Sequence, residues 1–226
     1  MSKCLLCQES IAEHFGWTEF LGLGKEKLVC GECEAKFEKI GGALCNGCGR
    51  EWPDSVCSDC KRWENSEYKG VLKYNRSAYH YNSFMKEVLA LYKFRGDAVL
   101  AKLFKEELKK IYKTHFQDLL VVPIPLSEER LYDRGFNQSL FWAQQLEVEI
   151  VEALAKRETE KQSKKGRSDR VSGENQFYVA LPEAIRNRNI VLLDDIYTTG
   201  TTIRMAAKRL KDAGAKEISS ITLIRS

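Results

Sequence analysis

Eight cysteines arranged as four Cys-x-x-Cys pairs constrain this chain more than any other feature of its sequence. All eight lie within the first 60 residues, and none follows. Two-residue spacing lets both sulfur atoms of a pair reach one tetrahedral ion, and two pairs complete a closed Cys4 zinc site without an open position for water. We therefore expect two structural zinc ions, with the ligands Cys4, Cys7, Cys30, Cys33, Cys45, Cys48, Cys57 and Cys60.

Two other interpretations of these cysteines are weaker. Disulfide bonds are rare in the reducing cytosol, and a thioredoxin-like redox motif needs one pair and not four. The way in which the four pairs combine stays open. A sequential arrangement joins the first two pairs and the last two pairs, and an interleaved, cross-brace arrangement is the alternative.

The composition is that of a folded protein without membrane segments. Apolar residues make up 43% of the 226 residues and charged residues 30%. The longest apolar runs are only a few residues long, far below the roughly 20 needed to span a bilayer. The N-terminus leads directly into a cysteine pair without the apolar stretch of a secretory signal. We therefore expect a cytoplasmic protein that does not insert into membranes.

Charge is distributed unevenly along the chain. Residues 1–67 carry four more acidic than basic side chains, whereas residues 68–226 carry eight more basic than acidic ones. Because the cysteines stop near the same point, we divide the chain into a zinc-binding module, 1–66, and a second domain, 67–226. A basic body suits a phosphorylated ligand or a nucleic acid, although this basic content is also ordinary for a protein surface.

The second domain has the pattern of an α/β protein. Apolar runs predict buried strands at 119–122, 190–193 and 218–224, and residues 71–81 read as a strand or hairpin. Apolar residues at helical spacing predict helices at 84–92, 100–111, 136–146 and 203–210. This alternation of strands and helices favours a mainly parallel sheet. Residues 156–176 differ, since they are basic and almost free of apolar side chains, and they predict a mobile loop long enough to act as a lid.

Residues 190–202 carry the strongest chemical signal. Four apolar residues precede two adjacent acids, Asp194 and Asp195, and a loop rich in threonine and glycine then leads into a helix. Open α/β sheets bind ligands at the carboxyl ends of their strands, and a helix N-terminus attracts anions. Carboxylates that accept from hydroxyl groups beside a phosphate-binding loop suit a sugar phosphate. The P-loop pattern of nucleoside triphosphatases is missing.

These thirteen residues resemble the phosphoribosyl-diphosphate (PRPP) signature of type I phosphoribosyltransferases, and nearly the whole chain is similar to the ComF family of competence-associated proteins. Besides the cysteine pairs, the resemblance rests on the segments YKFRGD at 92–97, VPIPLS at 122–127, RGFNQ at 134–138 and RETEKQS at 157–163. It implies a type I phosphoribosyltransferase fold, a mainly parallel sheet with helices on both faces, and a small N-terminal zinc module.

The resemblance also implies roles for individual residues. The tandem acids, Asp194 and Asp195, would contact the ribose hydroxyls of PRPP. The 5′-phosphate would be held by Thr198, Thr199, Gly200, Thr201 and Thr202. The pyrophosphate loop would be Pro125, Leu126 and Ser127. Positive charge for the ligand would come from Arg130, Arg134 and Lys93, for which an ordinary solvated surface is the alternative.

Enzymes of this kind displace pyrophosphate from C1 of the sugar through an oxocarbenium-like transition state, as in glycoside chemistry. Mg²⁺ would accompany PRPP, and catalysis would depend on holding the leaving group and excluding water. The acceptor stays open, because the segment that recognises a base, the hood, would come from about 68–95 and shows no code for one base.

The biological role that the resemblance implies is the handling of incoming single-stranded DNA during natural transformation, with a competence DNA helicase/translocase as partner. An alternative is a non-catalytic adaptor that senses PRPP and binds DNA in the competence translocation machinery.

Overall fold

A four-stranded parallel sheet forms the centre of the protein. The computed structural model describes residues 2–11, 27–94, 98–157 and 176–226, and structural statements refer to these residues. The sheet has the strand order β1-β6-β5-β2, and its three strand pairs are all parallel. The strands are β1 (Asn75–His80), β2 (Leu120–Pro123), β5 (Asn189–Tyr197) and β6 (Glu217–Arg225); a separate antiparallel pair consists of β3 (Leu154–Lys156) and β4 (Phe177–Val179).

Helices cover both faces of this sheet. They are α1 (Gly31–Ala35), α2 (Ser58–Glu64), α3 (Ser83–Phe94), a 3-10 helix (Ala98–Phe104), α4 (Lys105–His115), α5 (Glu128–Arg134), α6 (Gln138–Gln145), α7 (Pro182–Ile185) and α8 (Thr201–Asp212). The predicted α/β class with a mainly parallel sheet is confirmed. No helix in the described ranges combines the length and apolar content needed to cross a bilayer.

Alternate side chains of β5 enter two separate apolar clusters. Ile190 and Leu192 pack with the apolar side of α8, whereas Val191 and Leu193 pack with α3, α4 and α6 on the opposite face. Burial of a side chain of this size contributes about 1.5–3 kcal/mol. Because both faces are covered, residues 190–193 of β5 are continuously apolar without polar alternation, and they provide a rigid support for the polar residues that follow Leu193.

Two predicted strands differ from the structure. The predicted strand 190–193 ends too early, because β5 continues to Tyr197 by pairing with β6. Asp194 and Asp195 therefore lie within β5, although the partner strand on its other side, β2, ends opposite Leu193. The predicted strand or hairpin at 71–81 is a single strand, β1, at the edge of the sheet. Its partner, β6, is distant in sequence, so a local pattern cannot reveal the pairing.

The helix predictions were mostly correct, with three differences. The second predicted helix begins as a 3-10 helix before α4. In the cysteine-rich part, the sequence 32–40, which two glycines follow, predicts a short helix, and the structure has only α1 there. The seven residues of α5 were missed because none of them is buried, so the helix has no apolar stripe. Residues 158–175 of the expected mobile loop, and Arg95, lie outside the described residues.

The cysteine-rich part of the chain contacts the sheet directly. Cys45, Cys48, Cys57 and Cys60 belong to the same apolar cluster as Leu120 and Leu192. The Asn75 side chain at the start of β1 donates from Nδ2 to the carbonyl oxygen of Cys48 at 3.2 Å. The division of the chain near residue 66 stays a prediction.

Candidate functional site

The candidate site lies at the carboxyl edge of the sheet, where β2 ends and β5 continues. Pro123, the last residue of β2, pairs with Leu193, and Asp194 pairs on the other side with Thr222 of β6. This stagger leaves the two acids without a strand neighbour on the β2 side. The sheet therefore presents both carboxylates at an open step, next to the loop that follows β2.

The two acids have different surroundings. Asp195 forms an ion pair with Lys93 at the end of α3. Asp194 accepts hydrogen bonds from Ser139 Oγ at 3.3 Å and from the Asp195 N–H at 2.9 Å. Burial, together with the neighbouring charge of Asp195, raises the pKa of Asp194 to about 7, although these donors and Lys93 oppose the shift. The pair thus combines a paired carboxylate with one that titrates near neutral pH.

Further cations surround this acid pair. Arg134 is half-buried and donates from Nη1 to Gln138 Oε1 at 2.9 Å. Burial and the charge of Arg130 lower its pKa, while Asp195 acts in the opposite direction. Burial and Arg130 likewise lower the pKa of Lys156, and Asp194 opposes that shift. The exposed Arg130 thus acts on both Arg134 and Lys156, while Asp195 acts on Arg134 and Asp194 on Lys156.

Sequence reasoning did not identify Ser139 and Lys156 as members of the site. Ser139 directly follows the segment 134–138, and Lys156 directly precedes the segment 157–163, so both border motifs that the resemblance singled out. Their proximity to Asp194 depends on the packing of α6 and β3 beside β5. Only the two flanking motifs could have indicated them from sequence.

The loop after β5 has a fixed backbone shape. Gly200 has φ 81°, and a Cβ atom there would collide with the Tyr197 hydroxyl and the Arg204 guanidinium. Only glycine satisfies both conditions. The Thr199 and Thr201 hydroxyl oxygens are 2.9 Å apart, and α8 begins at Thr201. Thr198 to Thr202 thus form a tight turn into a helix N-terminus.

The loop after β2 is held against β5, next to the acid pair. The Ile124 N–H donates to the Leu193 carbonyl oxygen at 2.9 Å, and the Asn137 side chain donates to the Ile124 carbonyl oxygen at 3.1 Å. Pro125, Leu126 and Ser127 follow and are half-buried, and Ser127 caps α5. The structure therefore brings together the acid pair, Lys93, Arg134 and both predicted loops at one edge of the sheet.

The cysteines form two groups in sequential order, which selects between the two arrangements left open by the sequence. We call Cys4, Cys7, Cys30 and Cys33 the first cluster and Cys45, Cys48, Cys57 and Cys60 the second cluster. Within each cluster, the four sulfur atoms all lie within 4.8 Å of one another. Neighbouring sulfurs are 3.7 Å apart for Cys7 and Cys30 and 3.6 Å apart for Cys48 and Cys57.

These separations fit a metal and not a disulfide. A disulfide bond would need about 2.05 Å, whereas tetrahedral thiolates at about 2.3 Å from an ion lie about 3.8 Å from one another. Hydrogen bonds from the Cys60 thiol, the Arg50 N–H and the Arg225 guanidinium lower the pKa of Cys48 against the effect of burial. Both clusters could therefore hold a metal ion with four sulfur ligands.

The second cluster also contacts the loop that follows β5. Arg225, at the end of β6, approaches Cys48 Sγ with Nη2 at 3.7 Å and donates from Nη1 to the carbonyl oxygens of Tyr197 and Thr198, both at 2.9 Å. The Trp63 indole N–H donates to the Thr199 carbonyl oxygen at 3.0 Å. The cysteine-rich part thus reaches the same loop that the acid pair precedes.

Comparison with known proteins agrees with this architecture. The family model "Phosphoribosyl transferase domain" matches residues 133–226, which include the acid pair and the loop after it. A solved structure of the allosteric regulatory enzyme of purine biosynthesis covers 54% of this chain and 26% of its own, with 17% identity and a TM-score of 0.38. Fold and site together define a protein with a phosphoribosyltransferase-type domain.

Full-length relatives identify the family more narrowly. Competence protein ComFC of Bacillus subtilis is 40% identical over 99% of this chain and 95% of its own length. Competence protein ComFC of Streptococcus pneumoniae is 36% identical over 99% of this chain and 100% of its own, and competence protein F of Haemophilus influenzae is 27% identical over 88% and 90%. The chain belongs to the ComFC family of competence proteins.

Proposed function

We propose that the protein binds PRPP with Mg²⁺ at the carboxyl edge of its sheet and acts in the handling of single-stranded DNA during natural transformation. The observation that supports this most directly is the arrangement on β5. Asp194 and Asp195 are followed, within the same strand and turn, by a glycine-dependent loop at the N-terminus of α8. A sugar phosphate needs hydroxyl acceptors and an anion site at this short spacing.

In this proposal the acid pair binds the ribose. Asp194 and Asp195 accept hydrogen bonds from the 2′ and 3′ hydroxyl groups. Thr198, Thr199, Gly200, Thr201 and Thr202 bind the 5′-phosphate through backbone amides, threonine hydroxyls and the positive end of α8. The ion pair with Lys93 keeps the Asp195 carboxylate oriented before a ligand arrives.

The pyrophosphate group lies on the β2 side of the ribose in this proposal. Pro125, Leu126 and Ser127 provide a turn beside it, and Arg130 and Arg134 supply positive charge. Lys156 adds a third cation near Asp194. Because the charge of Arg130 lowers the pKa of both Arg134 and Lys156, an anionic group placed among these cations would relieve that repulsion.

The proposed metals follow from the donor atoms. The carboxylate oxygens of Asp194 and Asp195 suit Mg²⁺, which prefers oxygen ligands; when bound with PRPP it neutralises charge on the diphosphate. Four sulfur ligands at the observed separations suit zinc in each Cys4 cluster. Both zinc sites would be structural, since four protein ligands leave no position for a substrate.

Two functions can follow from PRPP binding. In the first, the protein is a phosphoribosyltransferase, and its own groups hold pyrophosphate in place and exclude water while the bond at C1 breaks. In the second, it is an adaptor that senses PRPP without turnover. Release of pyrophosphate from PRPP in the presence of a panel of acceptors, including single-stranded DNA, supports the first. Binding without any release supports the second.

The proposed contact with DNA has its own structural support. Single-stranded nucleic acids are bound by cations along the phosphates and by aromatic rings that stack on the bases. Tyr132 is 90% exposed on α5, and Arg130 is exposed on the same helix. DNA affinity that falls steeply with salt supports this role. The proposed partner, a competence DNA helicase/translocase, follows from membership of the family.

The decisive experiment removes both acidic charges from the site. The double variant Asp194→Asn, Asp195→Asn keeps the size of both side chains but replaces acceptor oxygens with donor amides. A hydrogen bond to a charged group contributes about 1.5–3 kcal/mol. We expect Mg-PRPP to bind at least about tenfold more weakly, which corresponds to about 1.4 kcal/mol, as measured by calorimetry.

A matched control is Asp212→Asn, at the far end of α8 from the loop. Asp212 pairs with Lys208 at 3.6 Å on the surface of the helix. The control variant therefore removes an acidic charge by the same Asp→Asn substitution, but outside the site. We expect wild-type affinity for the control and unchanged zinc content for both proteins. Equal affinity of the double variant and the wild type would remove the basis of the proposed PRPP site.

A further inference from the structure

Three successive carbonyl groups of the phosphate loop are held from outside the loop. Arg225 donates to the carbonyl oxygens of Tyr197 and Thr198, each at 2.9 Å, and Trp63 donates to that of Thr199 at 3.0 Å. Trp63 belongs to α2 of the cysteine-rich part, and Arg225 is the last residue of β6. Two side chains from distant elements thus fix the orientation of consecutive peptide units.

Peptide geometry links these carbonyls to the opposite side of the loop. In a planar trans peptide, the C=O and N–H bonds point in opposite directions, and the described residues contain no cis peptide bond. The carbonyls of Tyr197, Thr198 and Thr199 share their peptide planes with the N–H groups of the following residues. When the carbonyls point towards Arg225 and Trp63, the N–H groups of Thr198, Thr199 and Gly200 point away from them, as an anion site requires.

Both donors are themselves held by the second cluster. Arg225 Nη2 lies 3.7 Å from Cys48 Sγ, so one guanidinium group connects a metal-ligand sulfur to the loop. Trp63 lies on the short helix α2, which begins directly after Cys57 and contains Cys60. The Arg204 guanidinium lies over the Trp63 ring at 4.6 Å and donates to the Tyr197 hydroxyl, which adds a second connection between α2 and the loop.

A pocket separates α2 from the loop on the solvent side. It has a volume of about 390 Å³ and is lined by Asp59, Arg62, Trp63, Ser66, Thr199 and Thr201. Trp63 and Thr199 both line this pocket, so the hydrogen bond from the Trp63 indole N–H is a polar connection between α2 and the turn at its border. Loss of that hydrogen bond would leave the Thr199 peptide unit free to rotate.

We propose that Trp63 and Arg225 are positioning residues, through which the second Cys4 cluster orients the amides of the phosphate loop for the 5′-phosphate. The proposal rests on the proposed function, since it assumes that this loop binds the phosphate of a phosphoribosyl ligand. It adds that the cysteine-rich part is a component of the sugar-phosphate site. The first Cys4 cluster has no such role among the described residues.

The test uses two conservative variants of the full-length, zinc-loaded protein. Trp63→Phe keeps an aromatic ring but removes the indole N–H. Arg225→Lys keeps the positive charge but replaces the planar fork, which reaches two carbonyls and one sulfur, with a single ammonium group. The control is Trp52→Phe, because Trp52 is another indole that packs against the apolar core to which the second cluster belongs. Ribose 5-phosphate, inorganic pyrophosphate and Mg-PRPP are titrated by calorimetry.

We expect each variant to bind ribose 5-phosphate and Mg-PRPP about five- to tenfold more weakly than the wild type, the loss expected for one hydrogen bond of about 1–1.4 kcal/mol. Affinity for inorganic pyrophosphate should be unchanged, because its proposed site lies on the β2 side. The control should bind all three ligands normally. Zinc content is measured in parallel and should remain the same in all four proteins.

Other outcomes separate this inference from the proposed function. If the wild type binds neither Mg-PRPP nor ribose 5-phosphate, the proposed function fails first and this inference with it. If the wild type binds them and both variants bind equally well, only the positioning role is wrong. If the variants bind ribose 5-phosphate and pyrophosphate more weakly by the same factor, the substitutions have damaged the protein generally, and the positioning role is also wrong. Should one variant fail to fold, the other decides by the same criteria.

Discussion

The two Cys4 clusters share the same Cys-x-x-Cys spacing but differ in their surroundings. In the first cluster Cys7 is exposed. The apolar group around this cluster is small, and its buried residues are Cys4, Cys33 and Ile11. In the second cluster all four cysteines are at most 5% exposed and belong to the apolar cluster of β2, β5 and α8. The same Cys-x-x-Cys spacing within each pair therefore gives one peripheral site and one site inside the main core.

This difference separates metal binding from its consequences. Spacing determines whether four sulfurs can reach one ion. The environment determines what depends on that ion, because a buried site also supports the residues that pack on it. Among the described residues, the second cluster contacts β1 through Asn75 and the loop after β5 through Arg225. Its loss should therefore have wider effects than loss of the first cluster.

The largest expected effect comes from removing one ligand of each cluster. Cys48→Ser weakens the binding of a metal ion, and the free energy of that binding contributes to folding of the main core. A loss of about 4 kcal/mol lowers the unfolding temperature of a chain of this size by roughly 10 °C. Cys7→Ser should lose one zinc ion and shift the main transition by no more than a few degrees. Scanning calorimetry with zinc analysis checks both, and equal shifts would contradict the comparison.

A smaller effect is expected from a pair of glycines. Gly49 has φ 68° and Gly42 has φ 69°, so alanine is strained at both by about 1 kcal/mol. A Cβ at Gly49 would lie 2.8 Å from the Asn75 carbonyl oxygen, whereas a Cβ at Gly42 meets nothing within 4 Å. Gly49→Ala should therefore lower the free energy of unfolding by a further 1–2 kcal/mol, about the cost of overpacking. Urea unfolding measures this difference.

The Gly42→Ala protein serves as the control in that experiment, because it carries the backbone strain without the collision. Identical free energies of unfolding for the two variants would mean that the second cluster does not dock tightly on β1. Such a result would contradict the statement that the second cluster, unlike the first, is packed inside the main core.

The smallest expected effect is on the affinity for zinc. Binding of two ligands to coupled sites is reciprocal, so a phosphoribosyl ligand that needs the second cluster should also strengthen its zinc binding. In equilibrium competition with a chelator, we expect saturating ribose 5-phosphate to raise the zinc affinity of the second cluster by about fivefold and to leave that of the first unchanged. A dye that reports free zinc measures both affinities, and Trp63→Phe should abolish the increase.

Much of the fold could be predicted from local sequence patterns. Continuous apolar runs identified β2, β5 and β6, and helical spacing identified α3, α4, α6 and α8. The pairing of β1 with β6 could not be predicted, since it joins residues about 145 positions apart, such as Asn75 and Ser220. The helix α5 was missed because no buried residue gives it an apolar periodicity.

The site was predictable to the extent that its residues are adjacent in sequence. Asp194, Asp195 and the loop form one segment, so their proximity required only a strand followed by a turn. Ser139, Lys156 and Trp63 come from separate elements, and their positions depend on how α6, β3 and α2 pack on the sheet. The extension of β5 through the acids could not be foreseen either, because it results from pairing with β6.

The position of β6 between β1 and β5 has a consequence for synthesis of the chain on the ribosome. Both neighbours are made before β6, so the nascent protein holds two unpaired strand edges until the strand between them emerges. Arg225 emerges with the end of β6, and only then can it join Cys48 to Tyr197 and Thr198. Translation that halts earlier leaves a sheet open at its centre, a species that chaperones and proteases recognise.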